Sequence, residues 1–404
     1  MFILNQNQET IVEEGVDWFF NQSTQLFEID GEAGTGKSVV LNEIVKRLGL
    51  SENEYMPMAY TGQASIVMRT KGFTNAKSIH SSLYRIELVP SGSVHDRNNP
   101  FTINTEFNTD NYVYIFRKLT RKDLQGIKLF IIDEAWMVPE QMKNHIMSFG
   151  IKVIAAGDSG QLPPVMGNPA FLTGYNVYHL TELMRQHENS AIVYLAHRAR
   201  HGEPIHCGVY GNEVLVIEDT DVTDQLMLNS QHIICGTNKS RDFFNKRVRD
   251  LKRIETPYPV CGDRIICRNN NWKITINNIA LANGLQGIVM NPLSVGNYTN
   301  RDEINLDFLT DIMSIPFYNI SINSKYIVSP YDIRNQIKNS KYTKGELFEY
   351  AYAITTHLSQ GSEYPTGIYF EEFLRQNIQN QLNYTAITRF KQKMIYVKKS
   401  KKLF

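Results

Sequence analysis

The segment Gly31-Glu32-Ala33-Gly34-Thr35-Gly36-Lys37-Ser38 constrains this chain more than any other. It matches G-x-x-x-x-G-K-S/T at every fixed position, and it follows the apolar run Leu26-Phe27-Glu28-Ile29 and opens a helical stretch over Val39–Leu48. Glycines let a backbone curl until its N–H groups and a helix N-terminus face one anion. A loop of this kind is built on a strand–loop–helix unit, so the chain is expected to be α/β with a parallel sheet. Gly31, Gly34, Thr35, Gly36, Lys37 and Ser38 are the residues expected to cradle a triphosphate, with Lys37 on the β- and γ-phosphates and the Ser38 hydroxyl on Mg²⁺. ATP and Mg²⁺ are therefore the expected ligands.

Other strand-like runs extend the pattern. Leu129–Ile132 stops at Asp133-Glu134, and Val153–Ala156 stops at Gly157-Asp158. Later, His232–Cys235 leads into a helix around Ser240–Leu251, Gly367–Phe370 is a short strand, Phe373–Thr388 reads as a helix and Lys393–Val397 as a last strand. Two α/β lobes with parallel sheets are expected: residues 1–180, with a small inserted subdomain at about 85–120, and residues 181–404, with an inserted β-barrel at about 257–344. The second insertion alternates apolar and polar residues between Asn-rich turns such as Asn283-Gly284.

Asp133 at a strand end can hold the shell of Mg²⁺, and Glu134 can activate a water in line with the γ-phosphate. In Gly157-Asp158-Ser159-Gly160-Gln161-Leu162-Pro163-Pro164, Gln161 can hydrogen-bond the γ-phosphate or the attacking water, and on the residues alone a stiff Pro-Pro turn stays open as the alternative. A single triphosphate site shared by two lobes needs positive charge from the second one. Arg185 and Arg389 are the candidates for that role. An arginine near a helix end is ordinarily a surface charge, and the surrounding residues rather than a spacing rule raise these two.

Length, charge and cysteines narrow the class further. The chain has 404 residues, enough for two or three domains. Its formal net charge is +1, so nucleic-acid binding must use a local groove. No apolar run approaches the ~18 residues of a membrane span, and the start carries no signal-peptide pattern. Cys207, Cys235, Cys261 and Cys267 form no metal-ligand spacing and read as reduced thiols of a cytoplasmic protein. The tail Lys398-Lys399-Ser400-Lys401-Lys402 reads as a solvated basic end.

With these pieces in order, the chain resembles superfamily-1 DNA helicases of the RecD/Dda branch and looks closest to phage Dda-type enzymes. Asn5–Gln8 is similar to the family's Q motif, in which Gln8 would read the adenine. Ala59–Ser65 and Thr74–Ser81 look like first-lobe DNA-contact motifs, and Thr237-Asn238-Lys239-Ser240 with Asn245 resembles the start of the second lobe. Thr355–Glu363 resembles the T-x-H-K-S-Q-G segment, with Leu358 standing where relatives carry Lys, and Tyr384–Arg389 matches the final motif. The resemblance implies an ATP-driven DNA helicase travelling 5′-to-3′ on single-stranded DNA. Thr61, His80, Thr237, Asn238, Thr355 and His357 would hold the strand's phosphates. It implies that both parallel-sheet lobes are RecA-like, with a strand-separating pin in the first insertion (Phe101 is one aromatic candidate) and an SH3-like barrel in the second. Tailed duplex DNA, a single-stranded-DNA-binding protein and replication proteins are the partners to expect of a working monomer, in replication or recombination, in a bacterial or phage-infected cell. An RNA helicase of the same superfamily, a remodeller that displaces proteins, an exonuclease component and a small-molecule kinase are the rival readings. The exonuclease reading lacks a further carboxylate cluster, and two α/β lobes with second-lobe arginines argue against the kinase, which would need a phosphoacceptor pocket.

Overall fold

The computed structural model describes residues 4–90, 102–103, 112–164, 167–174, 176–182, 190–277, 279–292, 302–338, 344–373 and 376–400. By the density of its contacts the chain divides into two compact units. One comprises residues 1–78, 126–253 and 352–404; the other comprises residues 79–125 and 254–351.

The first unit contains two six-stranded sheets. In the first sheet the strands run, in spatial order, Lys77–Ser78, Tyr55–Ala59, Leu129–Asp133, Lys152–Gly157, Leu26–Gly31 and Val177–Leu180, and every pairing is parallel. Leu129 to Ile132 are fully buried, as expected of a strand covered on both faces, which is why it reads as a continuous apolar run. Register matters for function here: Asp30 pairs with Gly157, and Ala59 pairs with Asp133. Gly31, Asp133 and Gly157 therefore reach the same carboxyl edge of the sheet, where ligands of open α/β sheets bind.

Helices Gln6–Asn21 and Lys37–Leu48 cover one face. Trp18, Phe27, Val40, Ile44 and Leu129 share that core, and the Trp18 and Phe27 ring centroids lie 5.4 Å apart. The first helix was not expected from the sequence. It begins with a capping box in which Asn5 Oδ1 accepts from Gln8 N at 2.8 Å and Gln8 Oε1 accepts from Asn5 N at 3.1 Å.

The second sheet runs Gly208–Tyr210, Val214–Glu218, Phe390–Lys398, Tyr364–Phe370, Ile233–Cys235 and Ala353–Thr355. Only the edge hairpin of Gly208–Tyr210 with Val214–Glu218 is antiparallel. The three strands expected near 232–235, 367–370 and 393–397 are present; the first begins one residue late, and the other two extend beyond the expected limits. Helix Asn238–Leu251 follows Ile233–Cys235, and helix Gln376–Ile387 packs against helix Ala191–Arg200.

The second unit is antiparallel. Strands Tyr84–Pro90, Tyr112–Lys118 and Thr102–Ile103 form one small sheet. A five-stranded sheet runs Pro316–Asn323, Glu303–Thr310, Gln286–Pro292, Arg264–Cys267 and Phe348–Tyr350, past the expected end of the insertion at 344. Its two edges meet. Ile322 bridges to Glu346, Glu346 N donates to Ser321 O at 2.7 Å, and Asn323 N donates to Glu346 O at 2.9 Å. That closure removes the free strand edges a flat sheet would leave. Phe101 lies outside the described residues. Among the described residues, no helix is long and apolar enough to cross a membrane.

Candidate nucleotide and nucleic-acid site

The loop between Leu26–Gly31 and helix Lys37–Leu48 turns at two left-handed glycines, Gly34 (φ 87°) and Gly36 (φ 86°). A side chain at either would strain the curl. Gly36 is also the helix N-cap and offers no side-chain bond, so the first-turn N–H groups point outward, as an anion requires. Lys37 Nζ donates to Gly31 O at 2.6 Å and to Glu32 O at 3.1 Å. An ammonium has three donors, so one remains for a phosphate oxygen. Thr35 is buried, its Oγ1 donating to Glu32 O at 2.8 Å, and Gln8 Nε2 donates to Thr35 O at 2.8 Å. Gln8 thus braces the loop backbone from the first helix. Ser38 O accepts from Asn42 Nδ2 at 2.8 Å, and the Ser38 hydroxyl stands one residue after Lys37 on the helix.

Asp133 and Glu134 stand at the end of their strand beside this loop. Glu134 takes a left-handed conformation (φ 53°), which costs a non-glycine residue about 1–2 kcal/mol. Its N–H donates to Asp133 Oδ1 at 2.9 Å, fixing one carboxylate against the other's backbone. Burial raises the Glu134 carboxyl above its ordinary range; Arg389 opposes the rise and Asp133 adds to it.

Arg389 comes from the second sheet's side and its guanidinium is buried. Arg389 Nη1 lies 4.0 Å from Glu134 Oε1. Three contacts hold it: Nε to Thr385 O at 3.1 Å, Nη1 to Ser362 O at 3.3 Å and Nη2 to Thr388 Oγ1 at 3.1 Å. Arg185, its expected partner, lies outside the described residues.

Gln161 follows the buried Asp158. Its Nε2 donates to Asp158 Oδ2 at 3.3 Å. The next residue is clamped from the second sheet's side, since Leu162 N donates to Thr385 Oγ1 at 2.8 Å and Leu162 O accepts from Gln360 Nε2 at 2.7 Å. Beside Gln360, Gly361 has φ +74°, and a Cβ there would lie 2.7 Å from Ala64 Cβ. Only glycine lets this segment approach helix Gly62–Thr70 so closely.

Three residues had been given no role from the sequence. Arg200 Nη1 donates to Asp158 Oδ1 at 2.7 Å, and its Nε lies 3.2 Å from Glu32 Oε1. The Tyr384 hydroxyl donates to Asp158 and accepts from Ala33 N at 3.0 Å. Glu363 Oε1 pairs with Lys71 Nζ at 2.7 Å and with Lys391 Nζ at 3.2 Å. Tyr384 and Glu363 stand inside recognised segments, which was a usable signal; Arg200 had none.

Thr61, Thr237 and Thr355 share one arrangement. Each ends or follows a parallel strand and N-caps the next helix, with Oγ1 accepting from Ala64 N at 3.1 Å, Ser240 N at 3.2 Å and Leu358 N at 3.3 Å respectively. That bond does not use the hydroxyl proton, so Thr61 and Thr355 can each donate beside helix N–H groups, while the Thr237 hydroxyl donates to Ser240 Oγ at 3.0 Å. Asn238 is the first residue of its helix, and His357 lies in the short helix Thr356–Ser359, where burial lowers its imidazole pKa. His80, in the second unit, stacks on Tyr84 at 5.9 Å, and burial pushes it down to about 4, so at neutral pH it is an uncharged donor.

Residues 3–219 match the family model described as an AAA domain. The fold is similar to that of a Bacteroides Pif1 helicase solved with ADP-AlF3 and single-stranded DNA, at TM-score 0.55 and 17% identity, covering 98% of this chain and 92% of that one. A Candida albicans Pif1 helicase gives TM-score 0.52 at 16% identity, covering 98% and 94%. A structure of two coordinating Pif1 helicases at forked double-stranded DNA gives 0.56 at 16%, covering 98% and 92%. A curated relative, an uncharacterised protein of Methanocaldococcus jannaschii, is 29% identical over 38% of this chain, and the match spans only 12% of that protein's length.

Proposed function

Because this chain belongs to the AAA-domain family, we propose that it is an ATP-driven DNA helicase of superfamily 1, of the RecD/Dda type, travelling 5′-to-3′ on single-stranded DNA and separating the duplex ahead. One observation carries the reading. Arg389, from the second sheet's side, lies 4.0 Å from Glu134 at the carboxyl edge of the first, in the same cleft as the phosphate loop. An enzyme that splits ATP within a single lobe has no need of this arrangement; one that couples the split to movement between lobes does.

Lys37 and the loop N–H groups hold the β- and γ-phosphates. Glu134 takes the proton of the attacking water, which its raised pKa favours. Arg389, with Arg185, meets the charge that develops on the transferred group. Mg²⁺ fits the Ser38 hydroxyl and the Asp133 carboxylate, hard oxygen donors of the kind it prefers, and supplies neutralising charge there. The strand's phosphates run across the capped helix starts at Thr61, Thr237 and Thr355, with Asn238 and His357 as further donors; His80, within the second unit, is a separate candidate donor. When the γ-phosphate leaves, the attraction that closes the cleft on Arg389 is lost and the grip on DNA changes.

The Bacteroides neighbour was solved with ADP-AlF3 and single-stranded DNA, and the same two ligand classes are proposed here. The barrel of residues 264–350 is read as SH3-like, and the chain as a cytoplasmic monomer that can also push proteins off DNA and work beside single-stranded-DNA-binding or replication proteins.

Unwinding of 5′-tailed and 3′-tailed duplexes, with Lys37→Ala as the inactive control, tests the proposal. Strand separation from the 5′ tail alone supports it. Separation from the 3′ tail reverses the direction, and preference for an RNA tail moves the substrate class. ATP turnover by Lys37→Ala would remove the site itself.

A further inference from the structure

Asp158 has no exposed surface, and its two oxygens receive four hydrogen bonds. Oδ1 takes Arg200 Nη1 at 2.7 Å and Gly160 N at 3.0 Å. Oδ2 takes the Tyr384 hydroxyl and Gln161 Nε2. A carboxylate facing Arg200 only accepts, so Gln161 must turn its NH₂ end towards it. The other end of that amide, Oε1, is buried and has no hydrogen-bond partner among the described residues. An orphaned buried acceptor costs roughly 1–3 kcal/mol unless something donates to it. In a phosphoryl-transfer site, the donor available is water.

We propose that Arg200 and Tyr384 are positioning residues for Gln161, locking Asp158 so that Gln161 presents its carbonyl oxygen as the acceptor for the attacking water. The inference rests on the ATPase reading above and deepens it. Both residues come from helices that pack on each other, Ala191–Arg200 and Gln376–Ile387, with the Arg200 guanidinium 5.4 Å above the Tyr384 ring. Both also reach the phosphate loop: Arg200 through Glu32 Oε1 at 3.2 Å, and Tyr384 through Ala33 N at 3.0 Å. Burial first, and the Asp158 carboxylate next, keep the Tyr384 phenol protonated far above its ordinary range, so it stays the donor to Asp158. One network thus ties the two helices to the loop, to Asp158 and through Asp158 to the amide. Gln161 is oriented only while the helix pair is seated on the loop.

The test is a double-mutant cycle on DNA-free, steady-state ATP turnover. Tyr384→Phe keeps the ring and removes only the hydroxyl. It should lower kcat about tenfold while KM for ATP stays within about twofold, as for a misplaced catalytic group rather than a lost binding contact. In a Gln161→Ala background the same change should cost nothing further, because its effect passes through the missing amide. Losses that multiply in the double variant overturn the proposal. If Tyr384→Phe melts early, Arg200→Gln runs the same cycle, with Arg200→Lys recovering part of kcat through the Asp158 contact. Turnover that is unchanged by single-stranded DNA would defeat the helicase reading and leave this cycle decisive. A wild-type chain with no ATP turnover overturns both.

Discussion

Glu363→Gln should weaken the fold in a way that depends on pH. The carboxylate sits between Lys71, 2.7 Å away, and Lys391, 3.2 Å away, and so joins the end of helix Gly62–Thr70 to strand Phe390–Lys398. Burial works against its charge, but Lys391 and Lys71 overcome it and hold the carboxyl down to about 2. An acid titrating there, against about 4.3 in an unfolded chain, contributes about 3 kcal/mol at neutral pH. With 32% of the side chain exposed, solvent screening reduces this to about 1–2 kcal/mol. The two lysines respond differently: burial lowers Lys391, while at Lys71 burial is outweighed by Glu363, Asp133 and Glu134, which raise it. Because the folded pKa is lowered, the stabilisation is complete above about pH 5 and is lost as pH falls towards 2. Urea unfolding at pH 7 should therefore show Glu363→Gln less stable by about 1–2 kcal/mol, and the gap should narrow at pH 3. Equal midpoints at pH 7, or a gap that does not change between the two pH values, would refute the reasoning.

Arg389→Ala should keep nucleotide affinity and lose about 10³-fold or more in turnover, as for other arginines that meet a transferring phosphoryl group; quenched-flow hydrolysis beside fluorescent-nucleotide binding checks it, and normal turnover removes Arg389 from the mechanism. The acid limb of the kcat–pH profile should sit above the ordinary carboxylate range, because burial raises Glu134 and protonation disables it as pH falls; a limb at ordinary carboxylate pH, or one that survives in Glu134→Gln, assigns the base elsewhere.

What was legible in the sequence was local. The phosphate loop is written in glycines whose φ must be positive, and Leu129–Asp133 and Lys152–Gly157 announce themselves as short apolar runs because both their faces are covered. Helix Gln6–Asn21 is marked by its Asn5–Gln8 cap and by Ile11, Val12, Gly15 and Trp18 at helical spacing, a pattern masked by the likeness of its first residues to an adenine-reading segment. Strand Gly208–Tyr210 carries no apolar run at all, being an edge with Val209 exposed. The partners of Asp158 could not be read because the chain separates them widely: Tyr384 lies 226 residues away and Arg200 lies 42. No periodicity links such residues, so only folding reveals that they share a carboxylate.

The mooring of Arg389 has a mechanical consequence. With Nε, Nη1 and Nη2 each tied to Thr385, Ser362 and Thr388, the side chain has no spare rotation with which to reach out and withdraw. It behaves as a fixed tooth rather than a swinging arm. In the proposed cycle, whatever distance it covers must be covered by the corner of backbone that bears it, so the stroke would be set by the main chain and not by the length of an arginine.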